Sequence, residues 1–264
     1  MQTTDEKYFL IHQHFSKISH RYHRLRTTDI EPIRFIAGRI KNLQQIEAID
    51  IGCGDGRYDL PLFKYLRPRL RLTGADSNSD MLDNFLINLT NRGITDFTLV
   101  NADAENIPSQ DNKYDCIFTF NAIHHFSLLK FLHEAARILR VGGYFFIYTR
   151  LRDQNRRNIW GRYFPMFHRK ETRLYTLSKF VKVVESVPNL NLKSIEYYKY
   201  GRTSTLKQLI ERARAHHYST FKLYSSEELE EAINGFAKNI KNKFRDTKRV
   251  QWFDENILFT INKM

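Results

Sequence analysis

The sequence predicts an α/β fold, a mainly parallel seven-stranded sheet with helices on both faces. Three observations predict it. Short apolar runs alternate with amphipathic stretches from residue 46 to residue 149. A glycine-rich turn inside "AIDIGCGDGRYDLPL", residues 48–62, joins the first apolar run to the first amphipathic one. Two more strand-like runs, "LNLKSIEYYKY" and "ENILFTINKM", come after the alternation has ended.

Each element follows from its local pattern. Phe9, Ile11, Phe15 and Ile18, then Ile30, Ile33, Ile36 and Ile40, fall mostly three or four residues apart and predict two helices ahead of the first strand. Strands are predicted at 46–51, 70–75, 96–100, 115–120 and 143–149, with helices at 58–66, 79–91 and 128–139 between them. The double glycine of "LRVGGYFFIYT" reads as a sharp helix stop before the fifth strand. Past Thr149 the pattern loosens through "RLRDQNRRNIWGRYFPMFHRKETRLY". It resumes with a helix at 177–186, a sixth strand at 191–200, helices at 204–217 and 226–244, and a seventh strand at 255–262. Ser225 or Ser226 is placed to cap the last helix ahead of its acidic first turn. Without repeats or low-complexity tracts, all 264 residues read as one domain. Its parts are N-terminal helices (1–44), a core (45–150), a basic region (151–190 and 203–246) and the last two strands, with the helical pair between those strands an insertion onto the sheet.

Composition narrows the class. No apolar run approaches the roughly 18 residues of a membrane span, and the opening "MQTTDEKYFL" carries acids where a signal peptide carries base, so a cytoplasmic location is expected. Cys53 and Cys116 lack CxxC spacing, which fits neither a disulfide framework nor a zinc site, and no bound metal is expected. Residues 1–149 carry a net charge of +1 and residues 150–264 a net +12. Such asymmetry suits either an anionic partner of the second half or a well-hydrated surface.

The glycine turn constrains the ligand. A strand running through glycines into a helix presents backbone N–H groups and a helix N-terminus, and glycine permits positive φ. A dinucleotide site needs Gly-x-Gly-x-x-Gly, but Gly52, Gly54 and Gly56 place the third glycine one residue early. No Gly-Lys-Ser/Thr follows, which excludes a phosphate loop. Asp50, two residues before Gly52, suits a cationic ammonium better than a pyrophosphate.

With its acid and alternate glycines, "DIGCGDG" resembles motif I of the class I S-adenosylmethionine-dependent methyltransferases. The resemblance runs in order over roughly residues 45–150 and is closest to the subgroup that includes ubiquinone-biosynthesis enzymes. It implies a Rossmann-like sheet whose seventh strand is antiparallel, and S-adenosyl-L-methionine as cofactor. "LTGADSNSDML" looks like the second strand and the acid that binds the ribose, which implies Asp76 in that role with Met81 beside the cofactor. "VNADAENIP" looks like the adenine segment, implying Asp103 and Ala104, and "YDCIFTFNAIHHF" looks like the fourth strand with Asn121 at its mouth. "FSKISHRYHRLR" is similar to the N-terminal helix that covers the cofactor, implying Tyr22 and Arg26, although His23 stands where an acid is usual.

Methyl transfer from an activated sulfonium is one in-line displacement, for which alignment and exclusion of water are the main demands. A hydroxyl acceptor would gain from a base, for which His124 and His125 are the candidates. On an extended segment they would point to opposite sides, so at most one would face a pocket. The acceptor is expected over the carboxyl edge of the sheet, with Arg152, Arg156, Arg157, Trp160 and Tyr163 as its binding residues. Arginine among aromatics can grip an anionic small molecule, can equally hold RNA, and is also what a solvated loop with its rings on the core looks like. A small-molecule acceptor, anionic or neutral, ranks first, an RNA-modifying or RNA-binding protein second, and a non-catalytic cofactor-binding subunit third. Oligomeric state is not legible.

Overall fold

The computed structural model describes residues 27–264; Tyr22, Arg26 and the first of the two expected N-terminal helices lie outside the described residues. Two compact units result, one of residues 27–149, 177–196 and 257–264, the other of residues 150–176 and 197–256.

The first unit alternates strand and helix as expected. Helix α1 (Glu31–Arg39) precedes β1 (Ile46–Ile51), α2 (Asp59–Leu66), β2 (Leu70–Asp76), α3 (Ser79–Thr90), β3 (Phe97–Asn101), β4 (Tyr114–Phe120), α4 (Leu128–Ile138) and β5 (Leu139–Thr149). Helix α8 (Leu177–Glu185) and parts of β6 (Leu190–Ser204) and β7 (Val250–Lys263) complete it. The strands lie in the order β3-β2-β1-β4-β5-β7-β6. β1 to β5 are mutually parallel and β7 runs antiparallel to β5. β1, with helices to cover both faces of the sheet, is an almost unbroken apolar run: Ile46, Ala48, Ile49 and Ile51 are buried. After β1 the order reverses, since β2 pairs on one side of it and β4 on the other. That reversal opens a crevice at the carboxyl ends of β1 and β4, where ligands bind in open α/β sheets.

β5 departs from expectation. It starts at Leu139, directly after α4, and the glycines lie inside it. Pairing with β4 jumps from Tyr114↔Leu139 to Cys116↔Tyr144, a bulge that absorbs Arg140 to Gly143. Gly142 has φ +78°, and a Cβ on Gly143 would lie 2.9 Å from the Asp115 and Arg140 carbonyl oxygens. The glycines therefore permit the bulge rather than end the helix.

The second unit holds the segment whose pattern loosened. That segment folds into three short helices, α5 (Arg152–Arg157), α6 (Ile159–Tyr163) and α7 (Phe167–Lys170). The last two share an apolar core with α9 (Leu206–Arg214) and α10 (Ser226–Lys243). Trp160 stacks on Phe236 with centroids 5.1 Å apart and meets Phe221 edge-on at 5.2 Å. Local capping fixes the ends: Gly161 N donates to Asn158 Oδ1 at 2.7 Å, and Ser225 and Glu228 form the reciprocal box that starts α10. Among the described residues no helix is long and apolar enough to cross a membrane, and no cluster of metal-ligating side chains occurs.

Candidate cofactor site

The glycine turn leaves β1 at the crevice. Gly52, Gly54 and Gly56 have φ of +74°, +57° and +74°, a region L-residues other than glycine seldom enter. Gly52 and Gly56 are also closed in by protein: a Cβ would meet Ala122 Cβ at 2.5 Å in the first case and Leu89 Cδ1 at 2.7 Å in the second. Gly54 has only Met81 Cε within reach, at 3.3 Å. Several turn amides are already used. Gly52 N and Cys53 N donate to Ala75 O at 2.8 and 3.2 Å, Gly54 N to Asp76 Oδ2 at 3.0 Å, and Gly56 N to Cys53 O at 3.2 Å. A cradle for phosphate would keep such N–H groups available, so the turn is built for a ligand of other chemistry.

Several acids converge here. Asp50 ends β1 and Asp59 begins α2, and both are fully buried. Among the described residues, Asp50 Oδ1 and both Asp59 carboxylate oxygens receive no hydrogen-bond donor. Burial is the main force raising both groups' proton affinity, aided at Asp50 by the neighbouring Asp59 carboxyl; Asp59 is pushed up to about 7. The two carboxyls influence each other's titration. Asp76, at the end of β2, accepts Gly54 N on Oδ2 and Asn78 N at 2.9 Å on Oδ1, so its carboxylate is held square to the turn. Asn78 in turn caps α3 by accepting Met81 N at 3.1 Å, which fixes Met81 next to Gly54. Burial, with the Asp76 charge behind it, drives the Cys53 thiol up and keeps it neutral.

These features match known proteins. Residues 49–147 match a family model described as a methyltransferase domain. The fatty-acid O-methyltransferase of Mycolicibacterium smegmatis is 36% identical over 107 residues, which cover 40% of this chain and 37% of that protein. The chain thus matches well under half the length of that relative. Among solved structures, the YcgJ protein of Bacillus subtilis superposes with a TM-score of 0.62 at 16% identity, covering 88% of this chain and 98% of that one. A geranyl diphosphate methyltransferase in complex with SAM superposes with a TM-score of 0.57 at 13% identity, covering 89% and 85%. Residues 49–147 thus resemble a methyltransferase domain, and the chain shares the fold of those solved structures.

The other residues expected at a cofactor site follow the carboxyl ends of β3 and β4. Asp103 follows β3 and its Oδ1 accepts Glu105 N at 2.9 Å, which shapes the turn that carries the buried Ala104. Asn121 follows β4 with φ +56°; its Nδ2 donates to the Tyr58 hydroxyl at 3.3 Å, and its N donates to Tyr148 O at 2.7 Å. Tyr58 escaped the sequence reading, as did Asp59. Its ring stacks on Phe120 at 4.6 Å and lies beneath the Arg57 guanidinium at 4.4 Å. Only an acid and a ring in the first turn after the glycines marked them, and such residues ordinarily signal a helix start.

His124 and His125 sit on a single turn of 3-10 helix (Ile123–His125), not on an extended segment. Their rings are 4.1 Å apart, so the expectation that they point to opposite sides fails: a tight turn keeps neighbours together where a strand would separate them. The residues expected to bind the acceptor belong to the second unit. Trp160, expected on a binding surface, is instead only 2% exposed, because it centres that unit's aromatic core. Tyr163 packs edge-on to Phe244 at 5.7 Å, and Arg157 forms an ion pair with Glu255. Arg152 and Arg156 are exposed.

Proposed function

We propose that this chain is an S-adenosylmethionine-dependent methyltransferase that alkylates a small-molecule acceptor with an apolar body and one anionic or hydroxyl oxygen. The carrying observation is the crevice itself: a phosphate-unfriendly glycine turn flanked by buried Asp50 and Asp59 on one side and the oriented Asp76 on the other. The cofactor, when bound, supplies a methyl group on a positively charged sulfur. In this reading Asp50, with Asp59, receives the ammonium and Asp76 the sugar hydroxyls. Asp103 and Ala104 meet the adenine, Met81 and Asn121 position the nucleoside and methionine ends, and Tyr22 and Arg26 cover the site. His124 or His125 takes the acceptor's proton where the acceptor is a hydroxyl. Arg152 and Arg156 hold an anionic acceptor group. The acceptor class draws support from the name of the fatty-acid relative.

The test combines binding and transfer. Titration with S-adenosylhomocysteine should give micromolar binding, and NADH none. Incubation with methyl-labelled cofactor and an extract should place label in the organic-soluble fraction. Binding without label in any fraction would leave a cofactor-binding protein and end the catalytic reading. Full turnover in both His124→Ala and His125→Ala would remove the base.

A further inference from the structure

The second unit has a solvent-facing ribbon that the methyl-transfer reading does not use. In β7, Val250 and Trp252 pack on that unit's aromatic core, which turns Gln251 and Phe253 to the opposite face, with Arg249 exposed just ahead of the strand. β6 neighbours β7 in the sheet. A Cβ on Gly201 would lie 3.9 Å from Phe253 Cε1, so Gly201 faces the same way, and with it Lys199 and Tyr197 two and four residues earlier. The Lys199 ammonium indeed lies 4.5 Å from the centroid of the Phe253 ring. Tyr197 is 64% and Phe253 56% exposed, and Lys199, Gly201, Arg249 and Gln251 are exposed too.

The cations of this unit are sorted. Arg150, Arg157, Lys170, Arg173, Arg202 and Arg214 each pair with an acid. The stretch that leads into the ribbon, "KNKFRDTKR" over residues 241–249, holds five Lys and Arg against one Asp, and all five are exposed. Excess positive charge therefore gathers beside the two exposed rings. The ribbon face carries no exposed aliphatic side chain to enter a bilayer, and it ends at Glu255, which Arg157 neutralises.

We propose that this face binds single-stranded nucleic acid, with Tyr197 and Phe253 stacking on bases while Lys199, Arg249 and the 241–248 stretch meet phosphates. Aromatic rings on a strand pair, set among lysines and arginines with glycine keeping the surface flat, are the parts such binding uses. Partner and surface are independent of methyl transfer, so failure of that reading leaves this one standing.

The test uses the full chain with fluorescein-labelled 12-nucleotide oligo(U), a duplex of equal length, and phosphatidylcholine vesicles containing 30% phosphatidylserine. Oligo(U) should bind more tightly than duplex, and affinity should fall steeply between 50 and 200 mM salt. Tyr197→Ala and Phe253→Ala should each weaken binding by about five- to a hundredfold with an unchanged salt slope. Lys199→Ala and Arg249→Ala should each lower the slope of log affinity against log salt by about 0.7. An unchanged melting temperature shows that these surface variants remain folded. No binding at 50 mM salt, equal binding by the ring variants, or preference for the vesicles would each overturn the proposal.

Discussion

Asp76 carries two backbone obligations before any ligand arrives: it accepts Gly54 N–H from one turn and Asn78 N–H from its own. Asp76→Ala should therefore lower cofactor affinity at least tenfold and also loosen the turn, read as calorimetric affinity beside a modestly reduced melting temperature. The buried acid pair makes a different prediction. Asp59 binds its proton up to about pH 7 in the fold against 3.8 ordinarily, so the folded state holds more protons than the unfolded one across that window. The pair's contribution to stability is complete below the ordinary carboxylate range and disappears as pH rises through about 7. The cofactor-free protein should melt at lower temperature at pH 8 than at pH 5, and Asp59→Asn should flatten that slope. Asp50, Asp76 and the glycines were legible because their pattern is contiguous in sequence. Asp59 and Tyr58 were not, since their significance arises only when the turn folds one carboxyl onto another and one ring onto Phe120.

Strands and helices of the first unit were legible to within about a residue or two at most ends, because each pairs an apolar run with a recognisable stop. The segment 150–176 was not. Its helices are four to six residues long, too short for a helical period to emerge, and its arginines disguise an apolar face made by Ile159, Trp160, Phe164 and Phe167. Packing against α9 and α10 supplies what local propensity lacks. Trp160→Ala should cost about 3–5 kcal/mol by leaving a cavity among Phe164, Phe221 and Phe236, measured by denaturant unfolding. Gly161 admits no side chain at the α5–α6 junction, since a Cβ would fall 2.1 Å from Asn155 O.

Across the whole chain, acid and base are segregated by use. Acids concentrate in the crevice of the first unit, while the second neutralises part of its cationic surplus through ion pairs and leaves a cluster of exposed cations beside one ribbon. Both cysteines are free, and each is at most 7% exposed. Ellman's reagent should therefore find almost no reactive thiol in the native protein and two after denaturation; a fast-reacting native thiol would contradict the packing around Cys53. The bulge ahead of Tyr144 has a consequence for this architecture that reaches beyond β5. Side chains on a strand alternate, so the surplus residues between Leu139 and Tyr144 set the phase of everything downstream: Phe145 and Ile147 toward one layer, Phe146 and Tyr148 toward the other. Excising a single residue from "VGG" would invert that phase. Each of those aromatic and aliphatic groups would then exchange sides, and because β7 registers on the same stretch, its alignment would have to slip with it.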